Sequence, residues 1–214
     1  MNLHSKLLLI TLFSIAMAYL ESAVVVYLRE LYYPEGFYFP LKLIPENILI
    51  IELGRELATI IMLLTIGWVS GKNLSEKIAF FLFSFGVWDI FYYIWLKVIL
   101  NWPESLFTDD LLFLIPVPWI SPVLAPVLVS IVFILFSILV LRETEAGNKI
   151  KLDKINFILI LIGVALILIS FVWDFEKRLN SVSPVEFMWI VFVIGLIFMT
   201  IGLFQIIYKK NKEE

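Results

Sequence analysis

The residues best suited to chemistry are ionisable side chains inside stretches that are otherwise apolar. Within residues 48–68, Glu52, Arg55, Glu56 and Thr59 interrupt a run built of Ile, Leu, Ala and Met. Their spacings of three and four residues put these four side chains on one face of a helix, as a charged stripe. We expect this charged stripe to face protein or water, because ionisable groups in contact with lipid are costly.

Two neighbouring apolar stretches supply further ionisable groups. Together with the charged stripe they give four acids and two bases, namely Glu21, Glu52, Glu56, Asp89, Arg55 and Lys97. A charge at the bilayer centre costs about 2.5–3.5 kcal/mol even on lenient insertion scales, so these groups must compensate one another or line a wet cavity. The excess of two acids predicts carboxyl groups that keep their protons, or a bound cation. The alternative is that the bases only tie the helices together.

Aromatic side chains surround the deepest of these acids. Asp89, Tyr92, Tyr93 and Lys97 share a helix face, and Trp88 precedes them directly. Phenol hydroxyls near a carboxylate can relay protons or orient a polar head group, and the ring faces can stabilise a passing cation. The alternative is an aromatic belt at the membrane boundary, which explains Trp88 poorly because it lies at mid-depth.

Composition places the chain in a bilayer and excludes several kinds of site. The 214 residues are 62% hydrophobic, above the usual share of about half, and the mean hydropathy is +1.00. There is no cysteine and one histidine, His4, so thiolate chemistry and Cys- or His-rich metal sites are excluded within this chain. The net charge of -3 gives no footprint for nucleic acid. No cofactor is predicted, although a cation could bind.

Six stretches are long enough, at about 20 residues, to cross a hydrocarbon core. They cover residues of about 7–28, 48–68, 78–100, 121–141, 155–173 and 186–208. We therefore predict an all-α integral membrane protein with six transmembrane helices in a single membrane domain, residues 1–214. Asn73 with Glu76, and Ser183 with Glu186, are typical of helix starts.

The first stretch has a second interpretation. Lys6, the apolar run and the small residues at 16–18 resemble a secretory signal with its cleavage site, and removal after Ala18 would leave five spans. We favour an uncleaved helix, because the apolar run continues through residues 24–28.

The basic residues predict the orientation. With the N-terminus in the cytoplasm, ten lysines and arginines fall on the inner side, and the four on the outer side are Arg29, Lys42, Lys177 and Arg178. The prediction is a multi-pass protein of the cell membrane with both termini cytoplasmic. Depths counted at about 1.5 Å per residue then put Glu21, Glu56 and Asp89 roughly 12–18 Å below the outer boundary.

Residues 109–126 are rich in proline and lie between the third and fourth helices. The run 111–115 is too short to cross, and Pro116, Pro118 and Pro122 forbid a continuous helix. We expect a short helix capped by Thr108 or Asp109, followed by an extended segment at the outer interface. This segment is either a lid over the charged cluster or a plain interfacial loop.

The second half of the chain has little chemistry. Gly195 and Gly202 give the sixth helix a groove of small residues where another helix can approach closely, for example in a homodimer through helices four to six. The runs GVWDIFYYIWLKV and LIPVPWISPVLAPV resemble small polytopic membrane proteins of prokaryotes over residues 80–129. That resemblance implies no activity.

Three functions remain open, and in each of them the protein contacts the lipid bilayer. The first is proton- or cation-linked binding or transport of a small solute, with Glu21, Glu56 and Asp89 as exchangeable carboxylates. The second is an intramembrane enzyme for a lipid or isoprenoid, with Glu56 and Asp89 as acid and base. The third is a non-catalytic subunit or assembly factor, in which the charged cluster holds helices together.

Overall fold

The structure, a computed structural model, describes residues 2–38, 45–150, 152–180 and 186–210. Within these ranges the chain forms seven helices and one two-stranded antiparallel hairpin. The elements, in order, are α1 Leu3–Tyr32, α2 Glu46–Ser70, α3 Leu74–Leu100, β1 Asp109–Phe113, β2 Trp119–Pro122, α4 Leu124–Glu145, α5 Lys154–Val172, α6 Phe175–Asn180 and α7 Trp189–Lys210.

Five helices, α1, α3, α4, α5 and α7, are long and apolar enough to cross a membrane. The chain is therefore a multi-pass membrane protein, as the composition predicts. Helix α2 is 25 residues long and carries the charged stripe. The predicted Ser183 cap lies outside the described residues, whereas the predicted start of α3 is confirmed: Asn73 Oδ1 accepts the N–H of Glu76 at 3.0 Å.

Helix α3 lies at the centre of the first half of the bundle. It packs against α1 on one side, α2 on another and α4 on a third. Small residues bring the backbones close: a Cβ on Gly86 would lie 2.7 Å from the carbonyl oxygen of Ser130 in α4. A Cβ on Gly67 of α2 would lie 2.7 Å from the backbone nitrogen of Phe81 in α3. Because α1 and α2 both contact α3, the ionisable groups of these three helices come together.

Helices α5 and α7 form a second, tightly packed pair. A Cβ on Gly195 would lie 2.8 Å from the Gly163 carbonyl oxygen, and one on Gly202 would lie 2.8 Å from the Ile160 side chain. The predicted groove of small residues therefore exists, but α5 of the same chain fills it. Because α5 packs on Gly195 and Gly202, these two glycines leave no open groove for a second copy, and the homodimer through helices four to six stays a prediction.

The proline-rich segment forms a β-hairpin in which β1 pairs with β2, Asp110 lying opposite Ser121. The short helix predicted after Thr108 is wrong. A helix this short is unfavourable because its first turn fixes several residues for one hydrogen bond, whereas β1 pairs its backbone groups with β2 at once. The extended segment predicted to follow that helix is confirmed for residues 119–122, which form β2.

The two ends of the bundle are defined by contacts between chain segments far apart in sequence. At one end, Lys6 Nζ donates to the Ser70 carbonyl oxygen at 2.9 Å, which joins the start of α1 to the end of α2. At the opposite end, which we call the hairpin end, Trp119 packs on Phe171 near the end of α5 with ring centroids 6.3 Å apart. The contact between Lys6 and Ser70, together with the ion pair between Glu21 of α1 and Arg55 of α2, shows that α2 runs antiparallel to α1.

Candidate functional site

A cavity of about 270 Å³ lies at the hairpin end, between α1, α2, α3, α4, α5, α7 and the hairpin. Its ionisable lining consists of five carboxylic acids, two guanidinium groups and phenols, namely Glu21, Glu52, Glu56, Asp89, Asp110, Arg29, Arg55, Tyr32, Tyr33, Tyr92 and Tyr93. Most of the predicted site residues, from three different helices, thus surround one cavity. The remaining lining is largely apolar.

The charged stripe of α2 faces the protein interior, as its spacing predicts. Glu52, Glu56 and Thr59 are buried, and only residues on other faces of α2 are exposed to the surroundings. Arg55 bridges two helices: it forms an ion pair with Glu21 of α1 and donates to Glu52 Oε2 from Nε at 2.9 Å and from Nη2 at 2.6 Å. Thr59 Oγ1 donates to the second oxygen of Glu21 at 2.9 Å.

Glu56 connects α2 to the hairpin. Both of its carboxylate oxygens accept the backbone N–H of Leu114, each at 3.0 Å. Leu114 follows directly after β1, so this N–H belongs to an edge that β2 does not cover. The carboxylate therefore supplies the acceptor that the edge of the hairpin would otherwise lack.

Asp89 lies on the opposite face of the cavity, where α3 meets α4. Its Oδ2 accepts the hydroxyl of Ser130 at 2.8 Å, and both residues are buried. The Trp88 and Tyr92 rings stack one turn apart with centroids at 6.3 Å, and Tyr93 meets Tyr92 edge to face at 5.0 Å. The predicted grouping of carboxylate and aromatic rings on α3 is present.

Lys97, in contrast to the other predicted charges, does not line the cavity. Its side chain is exposed, and Nζ donates to the carbonyl oxygens of Asn101 at 3.2 Å and Pro103 at 2.9 Å. One turn beyond Tyr93, the long lysine side chain reaches the end of α3 and binds its terminal carbonyl groups.

Arg29 and Asp110 line the cavity, and the sequence reasoning missed both. Arg29 Nη2 forms an ion pair with Asp110 Oδ1 at 3.3 Å, and its guanidinium lies 3.7 Å from the centroid of the Trp102 ring. The sequence analysis places Arg29 on the outer side beyond the first span, whereas α1 continues to Tyr32. The signal was present in the sequence: Ser14, Ala18 and Ser22 recur every four residues, and Arg29 follows on the same face seven residues later.

The ion pair between Arg29 and Asp110 lies where α1 meets the hairpin. Burial raises the pKa of Asp110 to about 6, although the neighbouring Arg29 guanidinium and the Tyr93 hydroxyl act in the opposite direction. The carboxyl group therefore loses its proton only as the pH rises past about 6, and above that pH it is paired with Arg29.

With Asp110 and Arg29 included and Lys97 left out, the cavity is more acidic than the sequence predicts. Five carboxyl groups and two guanidinium groups line it, so the formal excess is three negative charges instead of two. Among the described residues, no three acidic, histidine or cysteine side chains come close enough together to hold a metal ion.

Comparison with known proteins gives no relative. No family model, no curated protein and no solved structure matches this chain. What supports the resemblance to small polytopic membrane proteins is the set of five long apolar helices, and it extends no further. The function must therefore be argued from the cavity.

Proposed function

We propose that this protein binds a small positively charged solute in the cavity and exchanges it against protons. The observation that carries this proposal is the excess of acids around one cavity, five carboxyl groups against two guanidinium groups. Carboxylates without compensating cations are unfavourable in a protein interior, so either protons or a bound cation must balance them. Because a cation and protons compete for the same carboxyl groups, binding of the cation releases protons.

Glu56 and Asp89 are the carboxyl groups most available to a solute. Glu21 and Glu52 are paired with Arg55, and Asp110 is paired with Arg29. Within the part of the chain that the structure describes, Glu56 and Asp89 form no ion pair. Their hydrogen-bond donors are neutral groups, the backbone N–H of Leu114 for Glu56 and the Ser130 hydroxyl for Asp89. Because a neutral donor balances no charge, these two groups are where a cation gains most.

We propose further that α2 is a sixth crossing and that both termini are cytoplasmic, in the cell membrane. At about 1.5 Å per residue, the 25 residues of α2 extend roughly 37 Å, enough for a hydrocarbon core of about 30 Å. Its antiparallel run beside α1 and its exposed apolar faces support a crossing. The charged stripe turns to the cavity, so it does not contact lipid.

Single cysteines introduced at loop positions will test this topology cleanly, because the chain has none of its own. We expect Glu104→Cys to react with a membrane-impermeant maleimide in intact cells, and Lys72→Cys and Lys149→Cys to react only after permeabilisation. All three side chains are exposed. If α2 does not cross while α1 does, Lys72→Cys will be labelled in intact cells and Glu104→Cys will be protected.

Neutralising the two available acids will test the site itself. We expect Glu56→Gln and Asp89→Asn each to weaken binding of hexylammonium by about 30-fold or more, since losing a buried partner of a charge costs about 2 kcal/mol or more. Calorimetry on protein in nanodiscs measures this, and a heat that differs between phosphate and Tris buffers reports the proton released. Glu104→Gln, an exposed acid at the same end, is the matched control. Equal binding by all three variants would exclude the proposed site.

A second function, chemistry on a lipid or isoprenoid, is favoured by the apolar part of the cavity. Val129 and Phe133 of α4, Ile167 and Phe171 of α5, and Met199 of α7 line it. An enzyme predicts that wild-type protein converts a co-purified lipid that Asp89→Asn retains unchanged. A mainly structural role of the cluster, as in a subunit of a complex, predicts loss of folded protein in both neutral variants.

A further inference from the structure

The lining of the cavity changes from charged to apolar with distance from the hairpin end. Helix α3 ends at the hairpin end and α4 begins there, so Phe85, one turn before Asp89, lies farther inside. Phe133, one turn after Ser130, lies farther inside for the same reason. The rings of Phe85 and Phe133 meet with centroids 6.1 Å apart. Beyond Asp89, the wall made by α3 and α4 is therefore aromatic.

Helices α5 and α7 complete the inner part of the cavity. Phe171 packs on Trp119 at the hairpin end, and Val164 lies seven residues earlier in α5, roughly 10 Å farther inside. Met199 of α7 lies beside Val164, since a Cβ on the preceding Gly163 would be 2.8 Å from the Met199 Cα. The apolar end, as we call this part, consists of four side chains that line the cavity: Phe85, Phe133, Val164 and Met199.

Asp89 offers a carboxylate oxygen next to the apolar end. The residue is 8% exposed and lines the cavity, and among the described residues only its Oδ2 accepts a hydrogen bond, from Ser130. Oδ1 is therefore available to a positively charged donor. The Trp88 ring continues the wall in both directions, with centroids 5.5 Å from Phe85 and 6.3 Å from Tyr92. Aromatic faces pack against hydrocarbon and also attract cations.

A hydrophilic cation would use only the charged part of this cavity. Water in an apolar cavity lacks the polar partners that it needs, so such cavities stay dry. Hydrocarbon that enters an apolar cavity is stabilised in proportion to the apolar area that it removes from water. The apolar end therefore favours a cation that carries hydrocarbon over one that does not.

We infer that the solute is a lipophilic monocation, with its ammonium group at Asp89 and an alkyl or aryl group in the apolar end. The inference rests on the proposed function, because the ammonium group binds one of the same two acids. The hydrocarbon contacts different residues, so this part can fail while the ammonium site stands. The positive charge of the solute agrees with the excess of acids in the lining.

Calorimetry on the full-length protein in nanodiscs will compare methylammonium, propylammonium and hexylammonium, with protein-free nanodiscs to correct for partitioning into lipid. Each buried methylene increases affinity by about threefold to fourfold, so hexylammonium should bind roughly 100-fold more tightly than methylammonium, or more. Hexanol has the same chain without the charge. We expect it to bind at least about 30-fold more weakly than hexylammonium, because it leaves the acids without a cation.

Val164→Phe fills the apolar end without adding a polar group. We expect it to reduce the preference for hexylammonium over methylammonium to about tenfold or less, because the chain loses the space it occupies. Val193→Phe is the matched control, since Val193 of α7 is 44% exposed and does not line the cavity. The preference in Val193→Phe should equal that of the wild type.

The outcomes separate this inference from the proposed function. Equal affinities for methylammonium and hexylammonium, both weakened by Asp89→Asn, would overturn the hydrocarbon part and leave the proposed function intact. The same holds if folded Val164→Phe keeps the full preference for hexylammonium, because the chain then lies outside the apolar end. Hexanol bound as tightly as hexylammonium, with neither weakened by Asp89→Asn or Glu56→Gln, would overturn the inference and the proposed function together.

Discussion

Arg55→Met will destabilise the folded protein by about 3–5 kcal/mol, the range seen when one partner of a buried ion pair is removed. Arg55 is the shared partner of Glu21 in α1 and Glu52 in α2, and their side chains are 11% and 6% exposed. Without the guanidinium, two largely buried acids are left close together with no cation between them. Thermal unfolding in a mild detergent will measure the loss.

Two further variants separate this charge effect from lost packing. Arg142→Met, which removes an exposed arginine near the end of α4, should change stability by no more than about 0.5 kcal/mol. Arg55→Met combined with Glu21→Gln and Glu52→Gln should recover most of the loss, because the two carboxylates that lose the guanidinium are then neutral as well. A triple variant as unstable as Arg55→Met would show that the arginine acts through packing alone.

The same triple variant bears on function. It keeps Glu56 and Asp89, the two acids that we propose to hold the solute, and removes the three groups that balance one another. Retained hexylammonium binding in a folded triple variant would assign the Arg55 pairs to structure and the remaining two acids to the site.

Gly195→Ala is the second substitution with a large expected effect. The added Cβ would lie 2.8 Å from the Gly163 carbonyl oxygen and 2.9 Å from the Ile167 nitrogen, and both are backbone atoms of α5. Backbone in a packed helix cannot move aside as a side chain can, so α5 and α7 must separate. We expect a loss of about 1–3 kcal/mol or more from overpacking.

Gly54→Ala is the control for Gly195→Ala. Gly54 lies in α2 with nothing within 4 Å of the added Cβ, so the substitution should stabilise by up to about 1 kcal/mol through helix propensity. Opposite signs for the two variants in thermal unfolding are the expected result. The same stabilisation in both would mean that α5 does not occupy the groove, and the groove would again be open to a second copy of the chain.

The parts of the fold that were predictable are those set by local periodicity. The charged stripe of α2 could be oriented from its spacing alone, because a helix face is fixed by sequence. The groove at Gly195 could also be predicted, but not its partner, because which helix fills a groove depends on the packing of the whole chain. Strands β1 and β2 were missed since short apolar runs carry no clear periodicity.

The acidic residues of the site could be predicted from the sequence better than its basic residues. Glu21, Glu56 and Asp89 are unusual within apolar stretches, so the sequence draws attention to them directly. Arg29 and Lys97 both lie near helix ends, where a long side chain can turn either inward or outward. In the structure Arg29 turns inward to Asp110 and Lys97 turns to the end of its own helix. That choice depends on tertiary contacts and not on spacing.

In the proposed function, the hairpin and the cation compete for one carboxylate, because Leu114 already binds Glu56. Both oxygens of Glu56 are used by the Leu114 N–H, so an ammonium that takes either oxygen weakens the attachment of the hairpin to α2. The wall formed by β1 is then held most firmly when the cavity is empty and least firmly when it is filled. Such a wall resists the entry of a solute but eases its departure, which favours turnover over tight storage.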